Sequence, residues 1–120
     1  MATTFQTVTE NINGVRVIRV DAHHTSDDDF VLDYDMTPSS GSPDIPTSAS
    51  LVLASTADGT ASVTQAAVVT DNTTSYNIRA VIVLASLPDA GVYFLRSTEV
   101  HTTAPLNRTP VFGILTIEDV

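Results

Sequence analysis

Apolar residues alternate with other residues at Tyr76, Ile78, Ala80, Ile82 and Leu84, the longest period-two series in the chain. Such a series puts one set of side chains on one face of a β-strand, which a helix of about 3.6 residues per turn cannot do. The pattern recurs at Phe30, Leu32, Tyr34 and Met36, with Asp33 and Asp35 on an opposite face expected to be wet. Turn signals separate the runs: Asn13-Gly14, Asp58-Gly59 and Asp71-Asn72-Thr73-Thr74. No long helical period intervenes. The expectation is an all-β chain folded as an antiparallel β-sandwich of about seven or eight strands. Eighteen threonines and fifteen valines, both β-branched, suit that pleated setting.

Taken in order, residues 1–10 carry Phe5 and Val8 and read as an edge strand or an N-terminal arm. A strand is expected over 15–22, where the parity change between Val17 and Ile18 implies a bulge or two covered faces. Residues 23–29 read as a polar loop and 30–36 as a strand. Three prolines in 37–48 mark a long surface loop that would also serve as a docking arm. Strands follow over 49–55 and 60–70, although Gln65-Ala66-Ala67 leaves room for a helical turn. The last two strands are expected over 92–102 and 109–118.

At 120 residues the chain is the size of a single domain, 1–120, with enough length to bury a core. Cysteine is absent, which removes disulfides and thiolate chemistry together. With no leader-like segment and no long apolar run, neither secretion nor membrane insertion is signalled, and folding in a cytoplasm is expected. The net charge is −9, and the basic residues are five scattered arginines. A phosphate backbone needs clustered cations, so nucleic acid is not an expected partner.

The order Asp89-Ala90-Gly91-Val92-Tyr93-Phe94-Leu95, an Asp-x-Gly-x-Tyr-x-apolar sequence, resembles the corner before strand F of immunoglobulin domains. A tyrosine there buries its ring and bonds back to nearby backbone. Leu95 stands where antibody domains carry cysteine, and tryptophan is absent, which separates the chain from antibody and cell-surface families. From residue 29 to 120 it is similar to the immunoglobulin-like domains of tailed-phage virion proteins, of the decoration or baseplate upper-protein type. The features are Phe30-Val31-Leu32-Asp33-Tyr34-Asp35 before a proline-containing loop, Ala49-Ser50-Leu51-Val52-Leu53 before Ala57-Asp58-Gly59, and a closing Leu115-Thr116-Ile117-Glu118-Asp119.

That resemblance implies a non-enzymatic virion protein assembled in the host cytoplasm, foremost a capsid decoration or cement protein. Its partners would be other virion proteins, above all the major capsid protein, in a homo-oligomer or high-copy lattice. A start at Met1 and an end at Val120 suit a free-standing sandwich. A tail, neck or baseplate component is the alternative within the class. A carbohydrate- or receptor-binding module is the alternative outside it.

Parity adds a surface to this reading. In the strand after the corner, Tyr93 and Leu95 share one face while Val92 and Phe94 share the other; in the last strand Val111, Leu115 and Ile117 oppose Phe112 and Ile114. Val92, Phe94, Phe112 and Ile114 are therefore the candidate interface, unless a bulge at Gly113 or a long loop covers them. His23 and His24 lie near an acidic run whose metal candidates are Asp27, Asp29 and Asp33, against the competing reading of a solvated acidic loop. No cofactor is expected. No nucleophile frame surrounds any serine, and His101 reads as an exposed strand-end residue. Arg79 and Arg96 sit mid-strand and are expected to pair with carboxylates across the sheet or on a partner.

Overall fold

The computed structural model describes residues 3–11, 18–38, 44–56, 61–102 and 106–119. They form β1 (Thr3–Asn11), β2 (Ile18–Thr25), β3 (Phe30–Pro38), β4 (Ser48–Ala54), β5 (Ala61–Ala66), β6 (Val68–Asp71), β7 (Tyr76–Ile82), β8 (Gly91–Val100) and β9 (Asn107–Glu118). A four-stranded sheet of order β1-β3-β7-β6 faces a five-stranded sheet of order β2-β9-β8-β4-β5. β5 and β6 are one extended run broken only at Ala67, where the chain leaves one sheet and joins the other. Counted so, eight segments build the sandwich. The place where Gln65-Ala66-Ala67 left room for a helical turn is this sheet switch, pinned by Ala67 N–H donating to the Ala49 carbonyl at 2.9 Å.

The alternation predicts the core well. Phe30, Leu32, Tyr34 and Met36 of β3, and Tyr76, Ile78, Ala80 and Ile82 of β7, are all buried. They meet Leu51 and Leu53 of β4, Leu95 of β8, and Val111, Leu115 and Ile117 of β9 from the other sheet. Packing of two inward faces replaces the disulfide that cysteine-bearing sandwiches use.

Five of the seven pairings among the described residues are antiparallel. Two are not: β1 runs parallel to β3, and β2 parallel to β9. Both involve strands that no hairpin joins to their neighbours, so direction is not forced by a tight turn. Residues 3–11, which the sequence left as an arm or an edge strand, form β1 along the whole of β3. Close approach of β2 requires glycine at 113, because a Cβ there would overlap the Val20 backbone carbonyl.

Other expectations are corrected. β2 extends through His23 and His24 to Thr25, shortening the acidic loop to residues 26–29. The period-two run ends at Ile82, and Leu84 starts a single 3-10 turn and is exposed. Asp33 and Asp35 are half-buried rather than wet, since β1 and β7 flank β3 on both sides. The Asn77 amide donates to both carboxylates, at 2.5 and 2.9 Å, which keeps the like charges tolerable. The candidate arm over 37–48 begins inside β3 and ends anchored, with Ile45 packed on the core; residues 39–43 lie outside the described part.

Candidate interaction surface

The corner forms as the sequence implies. Gly91 takes a φ of +156°, a conformation that side chains disfavour, and opens β8. Two residues on, the Tyr93 hydroxyl donates to the Asp89 carbonyl at 2.6 Å, tying the strand to the turn before it. This bond fixes the parity of β8: Leu95, Ser97 and Glu99 turn into the core, and Val92 and Phe94 turn out.

On the outer face of the five-stranded sheet, Phe94 pairs with Ile114, and one row along Arg96 pairs with Phe112. Arg19 of β2 pairs with Phe112 from the other side, its guanidinium 6.0 Å from the ring centroid. Phe94 and Phe112 are each 40% exposed and Val92 is 60% exposed, while Ile114 is half-buried. Phe94, Phe112 and Ile114, with Arg19 and Arg96, line an open groove of about 290 Å³; Val92 stands outside it. Pairing runs unbroken through Gly113, so no bulge there folds the patch inward. The irregularity in this ladder falls at Ser97/Glu99 instead.

That irregularity marks a polar cluster the sequence reading did not single out. Glu99, 1% exposed, accepts from the Tyr34 hydroxyl at 2.7 Å, the Tyr76 hydroxyl at 2.9 Å and His101 Nε2–H at 2.7 Å. Ser97 completes the set through a 2.6 Å bond to the Tyr34 oxygen. Tyr34 gives its single proton to Glu99, so the serine hydroxyl is the donor there. Burial first, and then the negative charge of Glu99, push both phenols well above the ordinary tyrosine range. Asp44 extends the cluster, 3.6 Å from His101 Nδ1 and 2.6 Å from the Arg108 guanidinium. His101 is thus 3% exposed and not the exposed strand-end residue expected. The inward parity of β8, continued to 99 and 101, is the signal that finds it.

The metal candidates do not converge. Asp29 accepts from Leu84 N–H at 2.7 Å and Asp33 is engaged by Asn77 and Arg79, while Asp27 is exposed. His23 and His24 point apart: His24 is buried, bonded through Nε2 to the Asp28 carbonyl at 2.7 Å and set edge-on to Phe30, whereas His23 is exposed near Glu118. Among the described residues no three metal-ligating side chains gather. Arg79 meets Asp33 across the sheet at 3.5 Å, as expected; Arg96 has no carboxylate partner among the described residues.

Strand order and the tyrosine corner fit an immunoglobulin-like β-sandwich, with β3-β7-β6 in the places of strands B-E-D and β9-β8-β4 in those of G-F-C, while β1 takes the edge place of strand A but runs parallel to β3. Among solved structures the chain is similar to the N-terminal domain of phage TP901-1 ORF48, with a TM-score of 0.54 over 98% of this chain and 99% of that one. Identity is 10%, so the likeness is one of fold. No protein-family model matches the sequence, and no curated protein is significantly similar to it.

Proposed function

We propose that the chain is a non-enzymatic structural component of a phage particle, and in particular a decoration protein that binds and stabilises the assembled capsid. The observation that carries a docking role is the exposed Phe94–Phe112–Ile114 patch on the outer face of a framed sheet. An apolar face that a lone sandwich would leave wet gains about 25 cal/mol for each Å² a neighbour covers. Binding that is selective for the assembled shell raises the free energy needed to take it apart, and lattice repetition multiplies a modest contact. The phage setting rests on the shared fold with a phage protein domain and on the sequence resemblance. Catalysis is disfavoured by the state of the buried titratable cluster: Glu99 and His101 are sealed from solvent and committed to internal partners.

A tail, neck or baseplate component is the second reading. It is favoured by one observation, that the similar phage structure is an N-terminal domain and hence one module of a larger protein. Mixing purified protein with undecorated capsids and, separately, with tails distinguishes the two by co-sedimentation. Saturable binding to capsids supports decoration. Binding to tails alone rejects it for the second reading, and binding to glycan arrays with neither particle rejects both.

A further inference from the structure

We propose that the groove between Phe94 and Phe112 receives an acidic, apolar segment of a partner protein. Its apolar side chain lies between the two rings and its carboxylate sits on Arg96. The inference rests on the docking role given above to this face and adds the chemistry of what docks.

Register sets the pattern. Ala54, Phe94, Ile114 and Asp21 form one row across four strands, and Val52, Arg96, Phe112 and Arg19 form the next. A row of three apolar residues, ending at Asp21 on β2, therefore lies beside a row in which two guanidiniums flank a ring, and the carboxylate of Asp21 faces Arg19 at the far edge from Arg96. The groove, of about 290 Å³, lies open on the sheet surface and takes one or two side chains, whereas small-molecule sites enclose most of the ligand.

Charge decides which segment. Of the four described arginines, Arg108 is held by Asp44 at 2.6 Å and Arg79 lies against Asp33. Arg19 meets Asp21 at 3.5 Å, but both side chains are more than half exposed and water weakens the pair. Arg96, half-buried in the groove, has no ion-pair partner among the described residues. In a chain with fourteen acidic residues and a net charge of −9, a guanidinium left without a carboxylate is the exception. A partner carboxylate supplies what the chain does not, in the fork geometry arginine favours. A basic segment would be repelled here and drawn to the acidic remainder of the surface. A second copy would bring −9 against −9, and two arginines are too few to hold a polyanion backbone.

The test uses the full chain and a blocked hexapeptide of alternating glutamate and leucine, with glutamine and lysine versions as comparators. Binding is followed by NMR of side-chain methyl, aromatic and arginine Nε–H signals at low salt. The acidic peptide is expected to bind saturably, with shifts centred on Phe94, Arg96 and Phe112, and at least about tenfold more tightly than either comparator. Arg96→Gln weakens it about tenfold, the loss of one charge-assisted contact, and Phe94→Ala weakens it with an unchanged far-UV spectrum. Equal affinity for the three peptides, shifts centred elsewhere, or undiminished binding by Arg96→Gln overturns the proposal. So does self-association that buries the groove, or an oligonucleotide bound as tightly as the peptide. Peptide selectivity without particle binding sinks the virion reading and leaves this inference standing; particle binding without peptide selectivity does the reverse.

Discussion

The two faces of β8 pose opposite problems. Inward, Ser97 and Glu99 are polar groups withdrawn from water, and each has found partners: Glu99 alone accepts three hydrogen bonds. Outward, Val92 and Phe94 are apolar groups left partly in water, 60% and 40% exposed. The inner face is closed because an unsatisfied buried group is costly, by about 1–3 kcal/mol for a neutral one and more for a charge. The outer face can stay open because exposed apolar surface does not oppose folding. One strand therefore separates what holds this protein together from what it can offer another.

The comparison breaks first, and hardest, at Glu99. Glu99→Ala leaves the Tyr34 and Tyr76 hydroxyls and His101 Nε2 without their common acceptor in a buried site. A loss of about 3–5 kcal/mol is expected, as for a buried ionic partner removed from its network. Urea denaturation followed by circular dichroism measures it. A loss below about 1 kcal/mol would mean that the cluster admits water, and the contrast between the faces would fail.

The same cluster predicts a pH dependence. Both phenols are raised in the fold by burial and by Glu99, whereas tyrosine in the unfolded chain ionises near about 10. The folded state thus binds these protons more tightly. Their contribution is complete below pH of about 10 and is lost as pH rises above it towards the higher folded values. The chain has no lysine, so tyrosine dominates the side-chain titration in that range. The urea midpoint should fall steeply from about pH 10 upward, and Tyr34→Phe with Tyr76→Phe should flatten that fall even while lowering stability at pH 7. A wild-type midpoint indifferent to pH across this range would contradict the sealed cluster.

How much of this was legible follows from the range over which each signal acts. Parity is local, so it places Leu95 inside and Phe94 outside, and the corner residues Gly91 and Tyr93 announce where the count begins. It also carries Ser97, Glu99 and His101 inward. The expectation of an exposed His101 follows the usual behaviour of an imidazole at a strand end, which here yields to the buried Glu99 at 2.7 Å and to Asp44 at 3.6 Å. What no local pattern contains is the meeting of Asp44 with Arg108, 64 residues apart, or the presence of Arg19 beside Phe112 through a parallel pairing of the second strand with the last. The wet face expected for Asp33 and Asp35 fails similarly, because period-two alternation cannot say whether a strand lies at a sheet's edge or in its interior.

A smaller effect separates the corner from the core behind it. Tyr93→Phe keeps the ring and removes one hydrogen bond, to the Asp89 carbonyl. A destabilisation of about 1 kcal/mol is expected, since the carbonyl is exposed enough to turn to water. Thermal melts should show a modest shift with the outer face unaltered, so the peptide affinity of the groove should persist. If that affinity falls along with stability, the corner positions the patch as well as the strand.

The smallest effect on folding should come from the outer face itself. Phe94 is 40% exposed, and its neighbours across the strands are Ala54 and Ile114. Phe94→Asp replaces an aromatic strand former with a poor one, and the strand-propensity scale spans only about 1 kcal/mol. The variant should therefore fold, with a far-UV spectrum like that of the parent and a midpoint only slightly lower. Binding should respond quite differently, because the new carboxylate places a charge where an apolar side chain is meant to enter and sets itself beside Arg96, occupying the guanidinium that a partner would use. Loss of particle binding by a folded Phe94→Asp protein is the expected pairing of results. An unfolded variant would assign Phe94 to the core, and a folded variant that still binds particles would move the docking surface to another part of the sandwich.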